Sequence, residues 1–210
     1  MKEWCSKMFV GKYNKSLIIT YIGVGFAIAG MNYALGIDLR MAMICLIIAG
    51  VCDLFDGKVA RMCKRTEEEK LFGIEIDSLA DMVGFVVFPI IIGYSMGLNN
   101  WYNILGYILF VLCGITRLGF FNISVVDTNR DKPVSTYKGL PVTSSAIIFP
   151  LIWFLCELIA KASFSCIYPF ITYIVAFLFV FNFNIPKFKG KAYIVVSLLA
   201  VLAILLMIFI

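Results

Sequence analysis

The chain has 210 residues, of which 62% are hydrophobic and 15% charged, with a mean hydropathy of +0.97 and a formal net charge of +5. A soluble globular domain is about 45–50% apolar, so this composition excludes one and indicates a membrane protein. A positive charge spread between apolar runs is typical of an anchor to anionic lipid headgroups, and no nucleic-acid partner is expected.

Apolar runs of about 20 residues, the length of a helix that crosses a bilayer, recur along the chain. They predict an all-α, polytopic membrane helix bundle of about seven transmembrane helices, with a range of six to eight. The predicted spans are 17–35, 39–58, 76–97, 101–121, 140–160, 165–184 and 192–210.

The sequence is divided into an N-terminal interfacial segment, 1–16, and a single transmembrane domain, 17–210. Residues 3–13 mix aromatic side chains with Lys, a pattern that favours a short helix lying in the membrane interface. The segment lacks an apolar core closed by a small-residue cleavage site, so no removable signal peptide is expected.

Basic residues predict the orientation of the bundle. Of the 18 Lys and Arg residues, 16 fall on one predicted side of the membrane. They precede span one, lie near the end of span four, or belong to the connections between spans two and three, four and five, and six and seven. The other side has only Arg40 and Lys161. The positive-inside rule then places the N-terminus and these connections in the cytoplasm. We therefore expect a multi-pass protein of the cell membrane whose charged end faces the cytoplasm.

Four aspartates lie where the second span ends and the third begins, at Asp53, Asp56, Asp77 and Asp81. A carboxylate in an apolar helix costs roughly 2.5–3.5 kcal/mol on insertion scales, so four of them indicate a function. Spacings of three and four residues place each pair on one helix face. Such a cluster of oxygen donors predicts a site for hard divalent cations, Mg²⁺ or Mn²⁺.

Other site chemistries are excluded or disfavoured by composition. The chain contains no His, which excludes a Ser-His-Asp triad and His-ligated zinc, and its seven Cys residues lack paired metal-ligand spacing. A divalent-cation transporter is the alternative from another class, since intramembrane carboxylates can mark an ion path. The acids, however, cluster at one surface, while residues 82–96 are almost wholly apolar.

The aspartates belong to the two segments DLFDGKVAR, 53–61, and GIEIDSLAD, 73–81. These segments resemble the signature of the CDP-alcohol phosphatidyltransferases, D-x2-D-G-x2-A-R followed by G-x3-D-x3-D. The matching positions are Asp53, Asp56, Gly57, Ala60, Arg61, Gly73, Asp77 and Asp81. The spacer, 62–72, is longer than is usual in that signature, and its charged stretch KRTEEEK is interpreted as a loop, with Glu67, Glu68 and Glu69 in solvent.

The resemblance implies a homodimeric enzyme that uses two Mg²⁺ or Mn²⁺ ions held by Asp53, Asp56 and Asp77. It also implies that Asp81 is the general base and contacts a metal. Asp53, Gly57, Ala60, Arg61 and Gly73 would lie against the nucleotide and its phosphates. Glycine lets a ligand or a neighbouring helix approach closely, which is the role expected of Gly57 and Gly73. Arg61 could instead extend to the membrane interface without binding phosphate.

Weaker marks indicate the branch of the family that uses serine. Ser78 follows the third aspartate, TRLGFFN (116–122) is similar to that branch's R-L-x-R-F-N except at Phe120, and YKGLPVTSS (137–145) contains its G-L-P motif. The implied reaction transfers a phosphatidyl group from CDP-diacylglycerol to the hydroxyl of L-serine and releases CMP, a step of phospholipid biosynthesis. An inositol-phosphate or glycerol-phosphate acceptor is the alternative.

Two basic residues are candidates for binding the acceptor. Arg117 lies within a predicted span, where a charged side chain needs a partner. It could bind the serine carboxylate, or it could pair with a group of the protein. Lys138 could bind a phosphate or contribute ordinary positive-inside charge.

Overall fold

The chain folds as a bundle of helices in a computed structural model that describes residues 10–128, 136–160, 163–186 and 192–209. The α-helices are α1 Leu17–Leu35, α2 Leu39–Met62, α3 Glu67–Asp81, α4 Phe88–Ser95, α5 Trp101–Thr128, α6 Ser145–Leu155, α7 Phe164–Val180 and α8 Ala192–Phe209. A π-helical segment, Met82–Val87, joins α3 to α4 into a single span. A 3-10 turn, Val142–Ser144, precedes α6, and a π turn, Cys156–Ala160, follows it. The predicted all-α, polytopic membrane helix bundle is confirmed.

Three of the described helical spans are long and apolar enough to cross a membrane, namely Leu17–Leu35, Glu67–Ser95 and Trp101–Ile123. Three shorter apolar helices complete the hydrophobic part of the bundle: Val142–Leu158, Phe164–Val180 and Val195–Phe209. α2 is long enough to cross, but acidic and basic residues interrupt its apolar sequence. Their lengths and apolar sequences make this a membrane-embedded bundle.

The start of the third span differs from the prediction. The helix begins at Glu67, about two turns before the predicted residue 76. Thr66 caps it: its hydroxyl accepts a hydrogen bond from the Glu69 backbone N–H at 3.2 Å, and the Glu69 carboxylate accepts one from the Thr66 N–H at 2.9 Å. This reciprocal capping box gives partners to two N–H groups that the first turn would otherwise leave unpaired. Glu67, Glu68 and Glu69 are therefore the first helical turn, and interpreting them as a loop was wrong.

The segment before α1 is held against the start of α3. Lys12 Nζ forms an ion pair with Glu68 at 2.8 Å, and Asn14 Nδ2 donates to the backbone oxygen of Lys64 and to Glu69, each at 3.3 Å. Much of the predicted interfacial helix, residues 3–9, lies outside the described residues, and its remaining part, 10–13, is not helical.

Small residues bring α1 and α2 together. Gly23, Ala27, Gly30 and Ala34 are the buried positions of one α1 face. A Cβ atom at Gly30 would lie 2.7 Å from the Cβ of Cys45, and one at Gly23 would lie 3.1 Å from the Cβ of Cys52. Only a residue without a side chain permits this approach at Gly30, which is the mechanism by which small residues join membrane helices.

A two-stranded antiparallel ribbon lies outside the helices. It pairs β1, Thr136–Lys138, with β2, Asn184–Pro186, with Tyr137 opposite Ile185. The next residue, Gly139, has φ of +73°, and a Cβ there would lie 2.8 Å from the carbonyl oxygen of Phe179. This backbone geometry favours Gly. The ribbon was not predicted, because three-residue strands show too little periodicity to be recognised.

Candidate active site

The four aspartates converge from α2 and α3. Carboxylate oxygens of Asp53, Asp56 and Asp77 all lie within 4.8 Å of one another. Asp53 lies beside Asp81, and Asp56 lies beside Asp77. The pairing follows from the antiparallel course of the two helices, in which an earlier residue of α2 lies beside a later residue of α3. The predicted convergence is what the structure shows.

These carboxylates line a cleft between α1, α2 and the α3–π segment. Its lining residues are Thr20, Gly23, Val24, Ala49, Asp53, Asp56, Asp77, Ala80, Asp81, Gly84 and Phe85. Apart from Thr20 and the aspartates, these residues are small or apolar. No Lys or Arg is among these lining residues in the described part of the chain, so no side chain of the cleft neutralises the acids.

This donor set fits a hard divalent cation. Carboxylates this close repel one another unless a positive charge lies between them. Mg²⁺ and Mn²⁺ prefer oxygen ligands, which the Asp carboxylates supply and which water or substrate oxygens complete. Asp53, Asp56 and Asp77 could hold such an ion, and Asp81, in contact with Asp53, lies beside them.

Thr20 is a site residue that sequence reasoning missed. Its hydroxyl donates a hydrogen bond to Oδ2 of Asp56 at 2.9 Å, and both residues are buried. Gly23, one turn away on α1, packs against Cys52, one turn before Asp56 on α2, and this close approach brings Thr20 within reach. No local pattern links two residues 36 positions apart, so the sequence offered no signal for the pair.

Gly57, Ala60 and Arg61 continue the face of α2 toward the α2–α3 turn. Gly57 and Arg61 are exposed, Ala60 is half-buried, and Arg61 Nη1 lies 3.9 Å from the position that a Cβ of Gly57 would occupy. Asp53, Gly57 and Arg61 are spaced at successive helical turns, so they share one face. Arg61 is folded back along its own helix, and its contact with a phosphate stays a prediction.

Gly73 does not pack closely against another helix among the described residues. Within 4 Å of a Cβ built on Gly73, the described residues contribute only Arg65 Nη1, at 3.6 Å. Gly73 therefore accommodates a guanidinium and not a neighbouring helix. The expectation that it permits a close helix–helix approach is wrong.

The π-helical segment begins directly after Asp81. A π turn widens the helix and shifts the angular position of the residues that follow, and such turns are common at functional sites. Ser78, on the preceding turn of α3, donates a hydrogen bond to Oδ1 of Asn122 on α5 at 2.7 Å. This bond joins α3, which carries two of the aspartates, to the last residue of the TRLGFFN segment.

Arg117 and Lys138 lie outside the residues that line the cleft. Arg117 is buried, its Nε donates to the backbone oxygen of Leu140 at 3.2 Å, and its guanidinium lies 5.6 Å from the ring centroid of Phe121. The expectation that it needs a partner is confirmed. Lys138 is exposed at the end of β1, next to Gly139.

The fold and the acidic cleft place this protein in the class of integral membrane proteins with a site suited to divalent cations. The sequence profile of the CDP-alcohol phosphatidyltransferases matches residues 14–183, most of the chain and all four aspartates. The chain belongs to this family.

Relatives of known name are similar in sequence. The CDP-diacylglycerol–serine O-phosphatidyltransferase of Saccharomyces cerevisiae is 37% identical over 103 residues, 47% of this chain and 36% of that protein. The enzyme of that name from Helicobacter pylori strain 26695 is 34% identical over 136 residues, 64% of this chain and 54% of the relative. The archaetidylserine synthase of Methanothermobacter thermautotrophicus is 35% identical over 166 residues, 76% of this chain and 65% of the relative. The chain thus spans less than two thirds of the length of each of these relatives.

Proposed function

We propose that this protein is a phosphatidylserine synthase, which transfers the phosphatidyl group of CDP-diacylglycerol to the hydroxyl of L-serine and releases CMP. The observation that carries the proposal is the convergence of Asp53, Asp56, Asp77 and Asp81 in one cleft, with the family's Gly57 and Arg61 on the adjoining turns. The choice of serine is supported by the names of the three relatives described above, two CDP-diacylglycerol–serine O-phosphatidyltransferases and an archaetidylserine synthase.

Asp53, Asp56 and Asp77 would hold two Mg²⁺ or Mn²⁺ ions, which neutralise charge on the diphosphate and on the departing CMP. Asp81 would accept the proton of the serine hydroxyl and also contact a metal. As that proton leaves, the serine oxygen forms a bond to the lipid-side phosphorus. The bond between that phosphorus and the bridging oxygen breaks, and its electron pair departs on the phosphate of CMP.

The nucleotide or its phosphates would contact Arg61, Gly57, Ala60 and Gly73. The acyl chains would stay in the bilayer beside the apolar helices. Arg117 is proposed to bind the serine carboxylate and Lys138 to bind a phosphate, in addition to the backbone contact that Arg117 makes. The basic residues of the α2–α3 turn support a cytoplasmic site in the cell membrane by the positive-inside rule. We further propose a homodimer, on the family resemblance.

The test is product identification. Purified protein in lipid nanodiscs is incubated with CDP-diacylglycerol, Mn²⁺ and, separately, labelled L-serine, glycerol 3-phosphate and inositol 1-phosphate. We expect labelled phosphatidylserine and an equal amount of CMP with serine. Faster product formation with a phosphorylated alcohol would overturn the choice of acceptor, and no CMP release with any alcohol would overturn the proposed chemistry.

A further inference from the structure

A second arginine lies beside Gly73, one helical turn from Asp77 of the acidic cleft. Arg65, in the turn between α2 and α3, is half-buried, and its Nη1 lies 3.6 Å from the position that a Cβ of Gly73 would occupy. Gly73, Asp77 and Asp81 are spaced four residues apart on α3, so they share one face. The guanidinium therefore lies on the cleft face of α3, about one helical turn, roughly 6 Å along the axis, beyond Asp77.

The arrangement on α3 repeats the arrangement on α2. On α2 the order from the turn inward is Arg61, Gly57 and Asp53, and on α3 it is Arg65, Gly73 and Asp77. In both cases a guanidinium lies against a glycine, and the carboxylate follows one turn deeper. Arg61 belongs to the family signature, whereas Arg65 comes from the long spacer of this chain.

The acids nearest to Arg65 in sequence have other partners. Glu67 pairs with Lys70 at 2.6 Å, and Glu68 pairs with Lys12 at 2.8 Å. Glu69 accepts hydrogen bonds from the Thr66 N–H and from Asn14. Within the described residues no ion pair or hydrogen bond involves Arg65, which leaves its five N–H donors available to a ligand.

The backbone on both sides of Arg65 is held in place. Asn14 donates to the carbonyl oxygen of Lys64, the preceding residue, and the capping box of Thr66 fixes the following one. A guanidinium on a fixed backbone loses less conformational freedom when it binds than one on a mobile loop.

We propose that Arg65 binds phosphate oxygens of the CDP-lipid diphosphate, acting with Arg61 on the opposite helix. The proposal rests on the proposed function and deepens it. Planar guanidinium groups bind phosphate through two parallel N–H bonds, and two of them, one beside each of the helices that carry the aspartates, suit a ligand with two linked phosphates. The phosphate group of a neighbouring bilayer lipid has the same chemistry, so the test must separate the two sources.

The experiment measures equilibrium binding of CDP and of cytidine, in Mg²⁺, to the native protein in zwitterionic nanodiscs. Arg65→Gln should weaken CDP binding about 10- to 100-fold, the value of a charge-assisted contact, and leave cytidine binding unchanged. Lys64→Gln, the matched control, removes the same charge from the neighbouring exposed residue and should leave both affinities near native. Arg65→Lys keeps the charge without the planar fork and should lose less than Arg65→Gln.

Steady-state KM for CDP-diacylglycerol is then measured in zwitterionic nanodiscs and in nanodiscs that contain anionic lipid. A similar rise in KM for Arg65→Gln in both supports the proposal, whereas a rise confined to anionic nanodiscs would show that Arg65 binds the headgroups of the bilayer. Unchanged CDP affinity in Arg65→Gln, or an equal loss in Lys64→Gln, would also overturn it. Native protein that binds CDP but forms no product with serine would instead count against the proposed function alone.

Discussion

The Thr20 hydroxyl on α1 donates a hydrogen bond to Oδ2 of Asp56 on α2 at 2.9 Å, and both residues are buried. A carboxylate that binds a metal has several lone pairs, and a partner that occupies one of them fixes the direction of the others. Thr20 is therefore a positioning residue for Asp56, placed by the close approach of Gly23 to α2.

Thr20→Val, which keeps the shape and removes the hydroxyl, should weaken Mn²⁺ binding by about tenfold, and Thr20→Ser should restore it. Mn²⁺ titration followed by electron paramagnetic resonance measures the affinity directly. Thr172→Val is the matched control, since Thr172 is equally buried but its hydroxyl bonds to the Tyr168 carbonyl of its own helix. Equal Mn²⁺ affinities in the native protein and Thr20→Val would contradict the positioning role.

Removal of divalent cations should destabilise the bundle as well as stop turnover, because the unscreened carboxylates repel. We expect a lower Tm in chelator and recovery of both Tm and activity when Mg²⁺ or Mn²⁺ is returned in excess. The comparison is made by thermal unfolding in the two buffers. Full activity in chelator would exclude metal-dependent chemistry.

Asp77→Asn should change Tm in opposite directions in the two buffers. In chelator it relieves repulsion with Asp56 and Asp53, so its Tm should lie above that of the native protein. In excess Mg²⁺ it loses a ligand, so its Tm should lie below. Glu75→Gln, an exposed change on α3 outside the cleft, should track the native protein in both buffers. If Asp77→Asn has a lower Tm than the native protein in chelator, repulsion between the carboxylates does not destabilise the metal-free protein.

Substitutions of the four aspartates should fall into two groups, one that weakens binding and one that lowers kcat. Asp53→Asn, Asp56→Asn and Asp77→Asn should weaken binding of both metal and CDP-lipid. Asp81→Asn should mainly lower kcat, by about 10²–10⁴-fold, because it removes the general base. Binding of CDP by calorimetry and single-turnover rates distinguish the two patterns. A variant of Asp81 with a native maximal rate would move the base to another residue.

Arg117→Lys tests the acceptor site. Lys keeps the charge but loses the paired N–H geometry, so the serine KM should rise about 10- to 100-fold while the KM for CDP-lipid stays near native. Tm is measured on the same preparation, because Arg117 also bonds to the carbonyl oxygen of Leu140. A lower Tm with both KM values raised would assign Arg117 a structural role, and an unchanged serine KM would remove it from the acceptor site.

The features that the sequence determined by itself are local. The first helix was predicted as 17–35 and observed as Leu17–Leu35, because a long apolar run between polar turns admits one solution in a bilayer. The faces of Asp53 and Asp56, and of Asp77 and Asp81, follow from helical spacing alone. The capping box at Thr66 and Glu69 is equally local and could have been recognised, which would have placed the start of α3 correctly.

The features that only the tertiary structure decided join residues far apart in the chain. Thr20 reaches Asp56, Ser78 reaches Asn122, and β1 pairs with β2, each through an approach that depends on how neighbouring helices pack. The position of the Arg65 guanidinium beside Gly73 depends on the backbone path of the four-residue turn between α2 and α3, which no sequence pattern specifies. Helical periodicity constrains the positions within one element, whereas the distance between elements is set by small-residue contacts such as Gly30 on Cys45, which no single segment encodes.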